Sequence, residues 1–74
     1  MMKIEITRGW NGCDTVAGLG EHDWKDAFDA VRAWAVDHIG YCDFQDDAWG
    51  FTRLRDGTTI VDFGSHTYFG RYRP

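Results

Sequence analysis

The sequence has one proline, two cysteines and no low-complexity run. No stretch approaches the roughly 18 consecutive apolar residues that a membrane-spanning helix requires. Scarce proline, no repeats and 43% hydrophobic residues argue against a disordered tail. The opening MMKIEIT lacks the apolar run of a signal peptide, so a cytosolic protein with no membrane contact is expected. In that compartment Cys13 and Cys42 stay reduced.

A catalytic or cofactor signature is missing as well. Cys13, His22, His38 and Cys42 are zinc-binding residue types, but they lack the close Cys–Cys or His–His pairs of finger and ribbon sites. Cys42 stands among carboxylates, which disfavour the thiolate that a nucleophile needs. Asp46-Asp47 lacks the spaced oxygen ligands of a calcium loop, and AGLGEHD lacks the lysine of a phosphate loop. The expectation is a protein with no catalytic residues, no cofactor and no metal.

What the chain does have is rings and acids. Its 74 residues form one domain, residues 1–74, and include four Trp, five Phe and three Tyr. A domain of this size buries only about 60% of its unfolded surface, so its core relies on large side chains. The net charge is −4 and is unevenly placed. Residues 21–47 hold eight acids against Lys25 and Arg32, a balance of −6, whereas residues 48–74 hold four arginines against Asp56 and Asp62, a balance of +2. The acidic half repels phosphate backbones and favours basic partners, which excludes direct nucleic-acid binding through it.

Local patterns set the expected fold. KIEITR (residues 3–8) alternates, with Ile4 and Ile6 on one side of a half-buried strand. Residues 9–22 contain four glycines and read as a long loop, with room for a short strand or turn around Cys13–Val16. Asp23 is an N-cap, and Trp24, Ala27, Phe28, Val31, Trp34, Ala35 and His38 form one stripe of a helix ending at Gly40. Asp56-Gly57 predicts a type I′ hairpin joining strands at about 50–55 and 58–63, with Thr52, Leu54, Val61 and Phe63 sharing a face. A last strand follows over about 66–73, and pairing of Thr67–Arg73 with a second copy offers a route to a dimer. The expected class is α+β: one helix on an antiparallel sheet of about four strands, in the order β-α-β-β-β.

Trp24, Phe28, Val31, Trp34, Leu54, Val61 and Phe63 are the expected core. Trp10, Tyr41, Phe44, Trp49, Phe51, Tyr68 and Tyr72 are then surplus rings, some of which must be exposed. In YCDFQDDAW, residues 41–49, three of these rings stand beside three carboxylates. The expected partner surface is Asp26, Asp29, Asp37, Tyr41, Asp43, Phe44, Asp46, Asp47 and Trp49: acids that steer onto a basic groove and rings that anchor.

In its small size, single α+β domain, many Asp and Trp residues and negative charge, the chain resembles the anti-CRISPR proteins of phages and mobile elements. That resemblance implies an inhibitor, active in the host bacterial cytoplasm, that binds a Cas effector complex and blocks its target DNA binding. Its partner would be a basic surface of a host protein or nucleoprotein complex, and the inhibitor would be a monomer or weak dimer. The arginines of the C-terminal strands depart from full phosphate mimicry. An antitoxin-like or regulatory interaction module is the alternative.

Overall fold

The computed structural model describes residues 1–11, 14–40, 49–65 and 67–74. Strands β1 (Met2–Arg8) and β2 (Asp14–His22) lead into helix α1 (Trp24–His38). Strands β3 (Gly50–Arg53), β4 (Thr59–Asp62) and β5 (Tyr68–Arg73) follow. All five strands form one antiparallel sheet in the order β2-β1-β5-β4-β3, and α1 lies across one face. The class is α+β, with five strands rather than the expected four.

The additional strand is β2, in the stretch read as a loop. Its alternation is broken twice. It pairs with β1 through Ile4↔Gly20 then Glu5↔Gly18, and through Ile6↔Ala17 then Thr7↔Thr15. Leu19 and Val16 are thereby left as extra residues in two bulges. A bulge shifts the two-residue period by one, so no single alternating pattern survives along β2. Gly18 and Gly20 further remove two side chains that would have marked a face.

The helix follows its local signals. The Asp23 carboxylate accepts the Asp26 amide at 2.8 Å, a cap of about 1 kcal/mol. At the other end Ile39 and Gly40 both donate to the Ala35 carbonyl. Gly40 takes the left-handed conformation expected of it, with φ 95°.

The β3–β4 hairpin falls where expected, but in a different register. Gly57 N–H donates to the Leu54 carbonyl and Leu54 N–H to the Thr58 carbonyl, so the turn spans Leu54–Gly57. Only Gly57 has positive φ, at 91°, whereas a type I′ turn would also demand it of Asp56. Gly57 and Thr58 together oppose Leu54, a glycine bulge, and this moves the pairing by one residue. Phe51 therefore pairs with Val61 and Thr52 with Ile60. Phe51, Arg53 and Val61 share the helix face, and Thr52 and Ile60 lie on the other.

β5 is not an edge. It lies between β1 and β4 with both sides paired. Pairing with a second copy through Thr67–Arg73, as its place in the sequence invites, is blocked by these two neighbours.

The core lies between α1 and the sheet. Ile4, Ile6, Val61, Phe63 and Tyr72 meet Ala27, Val31 and Ala35 of the helix. The opposite face has no helix, yet Glu5, Thr7 and Ile60 are buried there too. Long side chains contribute to that face: Lys3 and Arg73 each stand 3.6 Å from the Glu5 carboxylate. Arg71 Nη2 reaches the Trp10 carbonyl at 3.2 Å.

Tyr72 is the largest fully buried side chain, and its hydroxyl has no hydrogen-bond partner among the described residues. Burial drives its pKa far above the usual tyrosine range. The folded state therefore keeps the phenol neutral while the unfolded chain ionises above pH ~10. The stability tied to this group is intact below about pH 10 and is lost as pH rises beyond it, by at most roughly 1.4 kcal/mol per pH unit. Tyr72→Phe is expected to gain about 1 kcal/mol at neutral pH, by removing an unsatisfied buried hydroxyl. It should also flatten the alkaline fall. Urea denaturation at neutral and alkaline pH measures both effects.

Candidate functional site

With Ala27, Val31 and Ala35 pointing inward, a rotation of about 100° per residue fixes the other helix positions. Asp29 faces outward, and Asp26 and Asp37 lie on the flank above β2. All three are exposed. Asp26 and Asp37 are eleven residues apart, about 16 Å along the axis, so the acids form a stripe rather than a point. Asp29 pairs with Arg32 of the neighbouring flank at 3.5 Å, an exposed contact of about 0–1 kcal/mol.

Lys25 and Arg32 take the other flank, above β3, with Trp24 and Phe28. The rings expected beside these acids, Tyr41 and Phe44, lie outside the described residues; of the rings on α1, half-buried Trp34 lies on the side of Asp37, and Phe28 on the side of β3. Ala27 and Ala30 let α1 approach β2 and β1, while Phe28 and Trp24 hold it off the β3 side by packing on Trp49, Phe51 and Tyr72.

Trp49, expected on the partner surface, is only 5% exposed. Its ring lies 5.2 Å from Phe28 and 6.0 Å from Phe63, with the Arg32 guanidinium 5.7 Å from its centroid. It is a core residue, as is Tyr72. Conversely Trp24, expected inside, is 45% exposed and Phe51 is 41% exposed. These two rings touch, with centroids 5.6 Å apart. Leu54 is half-buried rather than core. Trp24 is the first helical residue: one side of its ring packs on Tyr72 and Phe51, and no preceding helical turn covers the rest; its position at the helix start was the available signal.

Tyr41, Asp43, Phe44, Asp46 and Asp47 lie outside the described residues, as do Cys13 and Cys42. The described histidines make local contacts. His38 Nδ1 donates to the Trp34 carbonyl at 3.0 Å and its ring stacks on that indole. His22 Nε2 donates to the Leu19 carbonyl at 2.6 Å. Among the described residues no group of three or more His, Cys, Asp or Glu is arranged to hold a metal ion. No helix among them is long and apolar enough to cross a membrane.

A further exposed ring was named by the sequence only as surplus. Trp10 packs edge-on against Phe69 at 5.8 Å, on the sheet face away from α1.

No family model, curated protein or solved structure matches this chain.

Proposed function

We propose that the protein acts by binding rather than by catalysis, docking the acidic stripe of α1 onto a basic surface of a host nucleic-acid-handling complex. The observation that carries this reading is the stripe itself: Asp26, Asp29 and Asp37 are exposed along one side of a capped helix packed on the sheet. An oriented row of carboxylates steers association with a lysine- and arginine-rich groove and loses strength with salt. In the reading that follows from the resemblance to anti-CRISPR proteins, the groove belongs to a Cas effector, the site of action is the bacterial cytoplasm and the effect is loss of target DNA binding. Asp43, Asp46 and Asp47 would extend the same negative surface.

The test is competition with target DNA for a purified Cas effector complex in a gel-shift assay. Changing Asp26, Asp29 and Asp37 together to Lys is expected to weaken inhibition by about tenfold or more. Circular dichroism should be unchanged, because all three are solvent-facing. Equal inhibition by the variant, or inhibition insensitive to salt, rejects the proposal. The alternative, an antitoxin-like or regulatory module, draws on the exposed Trp24–Phe51 pair, which suits an apolar interface on the other flank.

A further inference from the structure

The sheet has two edges, and they differ. β2 carries two bulges together with Asp14 and Glu21, features that discourage pairing with another chain. Among the described residues β3 has no bulge and pairs with β4 alone, and all four of its residues are exposed. Leu54 directs both its N–H and its C=O into the hairpin. Antiparallel alternation then turns Thr52 toward β4 as well, and leaves the N–H and C=O of Phe51 and Arg53 pointing out along the open edge.

The side chains beside this edge have a defined character. Trp24 and Phe51 form the exposed ring pair on its helix side. Lys25 stands on the same flank of α1, and the hairpin contributes Arg53 and Arg55, both exposed. The one described acid of the hairpin turn, Asp56, is committed to the turn: its Oδ1 accepts the Thr58 amide at 2.9 Å. That bond, with Arg73 nearby, holds the Asp56 carboxyl below its usual pKa.

We propose that the β3 edge takes up an extended acidic segment of a partner protein as a sixth strand. The backbone of that segment bonds to Phe51 and Arg53, its apolar side chains lie on Trp24 and Phe51, and its carboxylates meet Arg53, Arg55 and Lys25. This is strand addition, in which main-chain bonds supply affinity and alternate side chains supply selectivity. A second copy of this chain is a poor occupant. Antiparallel β3–β3 pairing would gather the arginines of both hairpins. The four half-exposed rings would bury on the order of 400 Å², against the roughly 1,200–2,000 Å² of a stable interface. The proposal is independent of the acidic stripe, which lies on the other flank of α1.

The experiment is an amide-shift NMR titration of the ¹⁵N-labelled protein with a short capped peptide alternating Glu and Val, and with its Lys-Val counterpart. The acidic peptide is expected to move the Phe51–Arg53 amides and the Trp24 indole, with a Kd of about 0.1–1 mM, at least about fivefold tighter than the basic one. Arg53→Pro removes one outward N–H and spares the β4 ladder, since proline is tolerated on edges; it should weaken binding about tenfold. Trp24→Ala, at an exposed position, should weaken it as well and serves if the proline variant does not fold. Absence of shifts at roughly 2 mM peptide overturns the proposal. So do shifts centred on β2, equal response to the basic peptide, or unchanged binding by Arg53→Pro or Trp24→Ala. Shifts that follow protein concentration without peptide place a second copy on the edge and also overturn it.

Discussion

Replacing Trp49 by alanine is expected to cost about 3–5 kcal/mol, the usual range for a large ring removed from a core. A domain of this length has only about 4–11 kcal/mol of stability in all, so between about a quarter and all of it would be lost. The reason is the shape of the space that Trp49 fills. Alanines bring α1 close to β1 and β2, and the gap left toward β3 takes the Trp49 ring, which touches Phe28 on one side and Phe63 on the other. No smaller residue spans that gap, and a cavity there would strip contacts from both neighbours. Urea denaturation followed by tryptophan fluorescence and near-ultraviolet dichroism measures the loss. Trp10→Ala, at an exposed ring, is the control and should cost less than about 1 kcal/mol. Equal effects at the two positions would mean that Trp49 is not a core residue.

The second large effect is expected at Gly70, in the middle of β5. A Cβ there would lie 3.2 Å from the Val61 Cβ, 3.5 Å from Tyr72 Cε1 and 3.7 Å from Val31 Cγ2. The backbone at Gly70 is not left-handed, so space, not φ, makes glycine necessary. Val31 of the helix and Val61 of β4 close over this position, and neither has a flexible end to move aside. Alanine would stiffen the unfolded chain, a gain of about 0.4–1 kcal/mol, but the crowding should outweigh it and leave a net loss of about 1 kcal/mol. Valine, with two further methyl groups, should lose about 3 kcal/mol or more. In a domain of this size each kcal/mol lowers Tm by about 4–8 °C, so a thermal-melt series Gly, Ala, Val should descend steeply. A flat series would show that α1 does not press on β5.

These two positions also show what could and could not be read from the chain. The helix was legible to its ends because its signals are local: Asp23 caps it, an apolar stripe runs along it and Gly40 stops it. β1 was legible because Ile4 and Ile6 alternate cleanly. The hairpin was located by Asp56-Gly57, but one bonded pair, Gly57 N–H to the Leu54 carbonyl, decides the register, and both candidate turns use the same residues. β2 was hidden by its bulges, and the central place of β5 by the fact that strand order is a property of distant pairings. Of the proposed site, the acids on α1 followed from helical period alone. The rings did not. Which tryptophan is inside depends on the wedge between helix and sheet, and the sequence carries no measure of that wedge.

The central place of β5 has a consequence for biosynthesis. The β1–β2 and β3–β4 hairpins are local and can close within about 1–10 μs of being made. The β1–β5 ladder instead joins residues as far apart as Arg8 and Tyr68 or Lys3 and Arg73. While residues 68–73 are still being added, the nascent sheet has a slot one strand wide, bordered by the unpaired inner sides of β1 and β4. Any extended chain that fits can enter it, including the same strand from a neighbouring copy, which would restore every native pairing across two molecules. Escape from such entanglement rests on the molecule's own closing strand arriving first.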